Sequence, residues 1–184
     1  MADQVGLSHL TLAALAKRLG VRQPSLYNHV DGMEALRRSI SVRAKNELAG
    51  TLARATVGRS RGDAVISMSR AYRAWAHDHP GRYEATQRAP MQGDADDQAA
   101  STAATQVVFD VLAGYELHDE DAVDAVRALR SALHGFVTLE QGGAFGLPVD
   151  VDRSFDTLVR GLVTALAAWP RRHPTGVPPR PGAR

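Results

Sequence analysis

Residues 11–30, TLAALAKRLGVRQPSLYNHV, constrain the fold more than any other stretch, because they specify two short helices and the corner between them. Leu12, Leu15, Ala16 and Leu19 fall at i, i+3, i+4 and i+7 and make one stripe, with Thr11 placed to cap the first free amides. Gly20 follows where a helix most often closes on a residue at positive φ. Beyond Val21, Gln23 and Pro24 open a second helix; proline suits a first turn because the amide it lacks would have been unpaired there. Leu26 and Val30 form the inner stripe of that helix. Gln23, Ser25, Asn28 and His29 face outward, with Tyr27 at the flank.

Two amphipathic helices meeting at a corner also occur in ordinary helical proteins. The outer face here, however, offers amides, a hydroxyl and an imidazole with no acid among them, a set suited to base edges and phosphate oxygens. The run LTLAALAKRLGVRQPSLYNHVDGMEALRRSI, residues 10–40, resembles the helix-turn-helix segment of the tetracycline-repressor (TetR) family, without gaps and including its LYxHV ending. The resemblance implies a DNA-binding head in which Gln23 and Asn28 read base edges. Pro24 and Ser25 pack near a thymine methyl or sugar, and Thr11, Arg22, Tyr27 and His29 hold phosphates. Leu12 and Ala13 stand where the tetracycline repressor has polar contacts, so the first helix of the pair is expected to touch DNA less. Met33 stands where a lysine is common at the start of the next helix.

The family has a full helix ahead of this pair, whereas only MADQVG precedes Leu7. The first helix is therefore expected to be largely missing, reduced to a stub over Met1–Val5 or completed by residues upstream. After Asp31 and Gly32 a long amphipathic helix follows, with Met33, Leu36, Ile40, Ala44, Leu48 and Leu52 on one side. Residues 58–63, GRSRGD, read as the hinge into a second unit.

Composition supports an all-α chain: alanine is abundant, β-branched content is low, and apolar residues recur at helical spacing throughout. Cysteine is absent, which removes disulfides, thiolate metal ligands and a thiol nucleophile and fits a reducing compartment. With no long apolar run and no signal layout, a cytoplasmic location is expected. The formal net charge of +2 conceals a segregation. Residues 1–54 carry eight Lys/Arg against four Asp/Glu, residues 55–169 ten against sixteen, and residues 170–184 four Arg and no acid. A basic head on an acidic body is the electrostatic layout of a protein that presents one end to phosphate. These boundaries define the expected units: a head over 1–54, an effector-binding and dimerisation body over 55–169, and a disordered tail over 170–184.

Within the body, RAYRAWAHDHPGRYEA, residues 70–85, resembles the regulatory domain of one TetR subgroup carrying His-Pro here and His-Gly later, at His134–Gly135. Met68, Tyr72, Trp75, Phe109, His134 and Phe136 are the candidate lining of an effector pocket, since a mixed apolar and polar set suits a small molecule; by spacing alone they are equally a plain core. MQGDADDQAAS, residues 91–101, reads as a polar acidic loop ahead of a helix beginning near Ala99. Val126, Leu133, Val137, Phe155, Leu158, Val159, Leu162, Val163 and Leu166 lie on the stripes of the last two helices. In the family such a pair forms the dimer interface; an intramolecular core is the other reading, and the two are compatible.

No metal, cofactor or catalytic motif emerges. His77 and His79 point to different sides of a helix, and GxSxG, GxGxxG and P-loop patterns are absent. The expectation is a homodimeric transcriptional regulator, a repressor released by a small-molecule effector, acting on a near-palindromic operator. Two further readings stay open: a helical small-molecule-binding protein that does not read DNA, and a helical enzyme built around His134.

Overall fold

A computed structural model of the protein describes residues 1–170; the expected tail lies, from Arg171 onward, outside the described residues. Among the described residues the chain is all helix: α1 (Ala2–Val5), α2 (Leu12–Leu19), α3 (Gln23–Leu26), α4 (Gly32–Thr56), α5 (Arg61–Asp78), α6 (Pro80–Thr86), α7 (Ala95–Ala113), α8 (Asp119–Gln141) and α9 (Val151–Ala167). None of these helices is long and apolar enough to cross a membrane.

The corner forms for the reasons its residues suggest. Thr11 Oγ1 accepts the Ala14 amide at 3.1 Å, and Gly20 adopts φ 69°, which turns the following Val21 amide back to donate to the Ala16 carbonyl at 3.1 Å. Pro24 sits in the first turn of α3. That helix is a single turn: beyond Leu26 the chain continues as a hydrogen-bonded turn, with the His29 and Val30 amides both bonded to the Leu26 carbonyl at 2.9 Å. Leu12, Ala16 and Leu26 bury together with Leu15, Met33 and Leu36 around them, which fixes the angle between α2 and α3.

Leu19 is an exception to its stripe. It is 58% exposed, because α1 is one turn long and is tied elsewhere. The Asp3 carboxylate accepts from the Arg82 backbone amide and from Arg82 Nε, each at 2.8 Å, and the Leu7 amide donates to Glu84 at 3.0 Å. A glycine is required where the two elements meet, since a Cβ on Gly81 would fall 2.1 Å from the Ala2 carbonyl oxygen. The N-terminal stub therefore docks on α6.

The main core lies between α4, α5, α7, α8 and α9, where Met68, Leu112, Leu129, Val137, Phe155 and Val159 are almost completely enclosed. Removing each such side chain from water contributes roughly 1.5–3 kcal/mol. Ala44, Leu48 and Leu52 belong to this core, whereas Met33 and Leu36 pack on the small head cluster. The two apolar clusters thus divide partway along α4, ahead of the 54/55 boundary drawn from charge. α4 is one continuous helix that belongs to both.

The acidic segment expected to be a loop through Ser101 is mostly helical. α7 starts at Ala95, because Asp94 caps it by accepting the Asp97 amide at 3.1 Å and because Asp96 and Asp97 lie in its first turn, where negative charge is favourable. Those acids also bind α4. Arg38 bonds Asp94 through two nitrogens and lies 3.2 Å from Asp96, while the Lys45 ammonium meets Asp97 at 2.6 Å with both side chains buried. A buried pair of this kind is costly to break from one side, because the surviving charge is left without a partner. Asp97→Ala is expected to destabilise the protein by about 3–5 kcal/mol in chemical denaturation, and the double change Lys45→Met/Asp97→Leu to recover most of that loss.

Candidate DNA-reading corner and effector cavity

All eight side chains singled out on the corner lie on the molecular surface: Thr11 at the cap of α2, Arg22, Gln23, Pro24 and Ser25 at the start of α3, and Tyr27, Asn28 and His29 in the turn after it. Tyr27 is 53% exposed despite its ring. Leu26 alone points into the head cluster, so burial of one leucine orients the residues on either side of it outward. Leu12, which replaces a polar residue of the resembling family, is buried and so is withdrawn from any ligand.

The body contains a cavity of about 330 Å³, a volume within the range of small-molecule sites. Its walls come from α4 (Lys45, Leu48, Leu52), from α5 (Met68, Tyr72), from residues 86–90, and from α7 and α8. Of the six residues expected to line a pocket, Met68 and Tyr72 do so. The other four lie outside the lining for distinct reasons. Trp75 packs edge-on against His79, with ring centroids 5.3 Å apart. Phe109 is half-buried on another side of α7, beside a shallow groove. Phe136 lies between Phe145, tilted to it at 4.8 Å, and Phe155, edge-on at 5.1 Å, and the Arg73 guanidinium lies near the rings of both Phe136 and Phe155.

His134 is connected to the cavity without lining it. Its Nδ1 bonds the Tyr83 hydroxyl at 2.6 Å, and that hydroxyl bonds the Tyr72 hydroxyl, a cavity residue, at 2.9 Å. Burial pushes both phenols above their usual range, and burial followed by the positive charge of Arg130 lowers the imidazole. All three groups are therefore neutral near pH 7.

Several cavity residues were not anticipated from sequence: Lys45, Thr86, Gln87, Ser101 and Arg130. Lys45 reads from sequence as one of the basic residues on the solvated side of α4, with Arg37, Arg38 and Arg43, and the structure buries it instead. It occupies the inner side of α4 between Ser41, Ala44, Leu48 and Leu52, and a lysine within an apolar stripe implies a buried partner. Ser101 and Arg130 are polar residues at unremarkable helix positions, and only packing brings them to one space.

The nine stripe residues of the last two helices divide by burial. Val126, Leu133, Val137, Phe155, Val159 and Leu166 are buried within the protomer, because each helix must cover its own core first. Val163 packs against Gly62. Leu158 and Leu162 remain half-exposed on α9, and Leu139 on α8 is 50% exposed. Leu162 also packs against the core of its own protomer.

A short helix pair with a polar outer surface, joined through one long helix to an α-helical body with an internal cavity, defines the class of one-component helix-turn-helix regulators. Comparison with known proteins is more specific. Residues 65–162 match the family model described as tetracyclin repressor-like, C-terminal domain. The uncharacterized HTH-type transcriptional regulator Rv0681 of Mycobacterium tuberculosis is 44% identical over 165 residues, covering 89% of this chain and 75% of that protein. Among solved structures, the regulatory protein SCO4313 superposes with a TM-score of 0.72 at 26% identity over 89% of each chain. A TetR variant of Acinetobacter baumannii in complex with minocycline superposes with a TM-score of 0.66 at 21% identity, over 91% of this chain and 90% of its own. The chain belongs to the TetR family, and it is a DNA-binding transcriptional regulator with a helical head and a helical C-terminal domain.

The ion pairs that hold α4 to α7 carry a pH dependence. The hydrogen bond from Arg38, with help from the Asp97 amide, lowers the Asp94 carboxyl from 3.8 to about 2. A depressed carboxyl contributes stability that is complete above its unfolded value and is lost as pH falls through its folded value. The melting temperature is thus expected to fall between about pH 4 and pH 2, and Asp94→Asn is expected to flatten that part of the profile. An unchanged acid limb in the variant would mean that the Arg38 bond adds nothing.

Proposed function

We propose that this protein is a cytoplasmic, non-enzymatic repressor that binds a near-palindromic operator as a homodimer and is released when a small molecule occupies the cavity between α4, α5, α7 and α8. The observation that carries the reading is the corner itself: eight outward side chains, none acidic, presented by a head held together by the packing of Leu12, Ala16 and Leu26. Gln23 and Asn28 read base edges, Pro24 and Ser25 approach a thymine methyl or sugar, and Thr11, Arg22, Tyr27 and His29 position the head on phosphates. Two such heads on a twofold axis enter successive major grooves roughly 34–36 Å apart.

The head over residues 1–54 and the body over 55–169 act as the two functional units, with α4 as their common element. Release follows by linkage. Lys45, Leu48 and Leu52 of α4 form one wall of the cavity, and the same helix packs Met33 and Leu36 into the head. A molecule that prefers one setting of α4 lowers DNA affinity by its differential affinity for the two settings. Dimerisation uses α8 and α9, where Leu139 is exposed and Leu158 and Leu162 are only partly covered, while the deeper stripe is spent within the protomer. We infer in addition that His79-Pro80 and His134-Gly135 mark a subgroup of the family. The support is physical: Tyr83, on the helix that Pro80 opens, is bonded to His134.

Gel-shift titration tests the division of labour on the corner. Asn28→Ala is expected to cost about 1–3 kcal/mol on the operator and little on scrambled DNA, whereas Tyr27→Phe weakens both alike. Equal losses for both variants on both DNAs overturn it. For the assembly, Leu158→Arg is expected to give a folded monomer in light scattering that no longer binds the paired site. A variant that stays dimeric places the interface elsewhere.

A further inference from the structure

Charge in the cavity narrows the chemistry of its occupant. The lining includes three cationic side chains, Lys45, Arg88 and Arg130, and no carboxylate. Two of these cations are neutralised from behind the wall, Lys45 by Asp97 at 2.6 Å and Arg88 by Glu34 at 3.1 Å. Arg130 has no hydrogen-bond or ion-pair partner among the described residues. It stands on the exposed edge of α8 at the cavity wall, close enough that its charge bears on Tyr72, Tyr83 and His134. On α7, Ser101 belongs to the lining, but its hydroxyl oxygen is fully enclosed and does not open into the space. Most of the remaining wall is hydrocarbon, from Leu48, Leu52, Met68, Val108, Leu129 and Leu133.

An apolar space with one unspent positive charge at its edge complements an apolar body that carries a single negative charge. A carboxylate gains a charge-assisted hydrogen bond from Arg130 that a neutral molecule does not, a cation meets like charge, and a phosphate brings a second charge that nothing in the wall matches. The volume of about 330 Å³ holds on the order of ten water-sized groups, which sets the scale of the molecule. We propose that the cavity binds a small amphiphilic monocarboxylate whose carboxylate meets Arg130 and whose apolar body lies against α4, α5 and α8. This assignment rests on the cavity being the effector site. It adds that the carboxylate reaches the head's supporting helix through its apolar end, against Leu48 and Leu52.

The test is calorimetric titration of the full chain with decanoate, 2-naphthoate, decanol and decyltrimethylammonium, repeated on Arg130→Gln. At least one carboxylate is expected to bind tenfold or more tightly than decanol, with the ammonium weaker than both; decanoate and 2-naphthoate distinguish an extended apolar body from a planar one. Arg130→Gln is expected to weaken the carboxylate about tenfold or more and to leave decanol unchanged, which also shows that the variant is folded. The proposal is overturned if decanol or the ammonium binds as tightly as the carboxylates, if Arg130→Gln changes nothing, or if neither carboxylate binds. Operator gel shifts without ligand report on the regulator reading separately. Carboxylate binding that leaves DNA affinity unchanged upholds the ligand class and overturns release.

Discussion

The position of α4 depends on a desolvated ion pair. Lys45 and Asp97 are both buried and meet at 2.6 Å, so neither can leave without stranding the other's charge in the interior. Around that pair the start of α7 is gathered onto α4: Asp94 both caps α7 and binds Arg38, and Asp97 accepts the Met91 amide at 3.4 Å. Since α4 also carries Met33 and Leu36 into the head cluster, the orientation of the corner relative to the body is set through this charged joint together with the apolar face of the helix. A hydrophobic seam alone tolerates small slides; a hydrogen-bonded pair in a dry environment fixes register.

The joint adjoins the cavity. Lys45 lines the cavity on one side and bonds Asp97 on the other, and Leu48 and Leu52 continue the same wall. The side chain that holds the helix is thus within reach of whatever fills the space. The Tyr72–Tyr83–His134 chain extends from the cavity in the other direction, to α8. Both connections consist of hydrogen bonds between enclosed groups, whose geometry responds to small changes in packing.

How far the sequence could be read follows from how local each signal is. The Thr11 cap, the Gly20 closure and Pro24 in the first turn of α3 are written within a few residues of the structure they produce, and all three are observed. Residues 91–101 read as a loop because acids and glycine suggest solvent, whereas three aspartates at a helix start are a capping set that also supplies partners to α4. The pocket was the least legible feature. Aromatic residues indicated its neighbourhood through Tyr72, but Trp75 and Phe136 pair with other rings, and the cavity's polar members, Ser101 and Arg130, carry no mark in one dimension.

By itself the sequence determined the class of fold, the corner and which side chains the corner turns outward, because helical periodicity, caps and a single buried leucine act over one or two turns. Tertiary structure alone decided where α4 passes from head to body, which stripe residues of α8 and α9 are consumed within the protomer, and which polar groups meet in the cavity. These depend on contacts between residues fifty or more positions apart, such as Lys45 with Asp97 and Tyr83 with His134, and no local pattern encodes a distance of that kind.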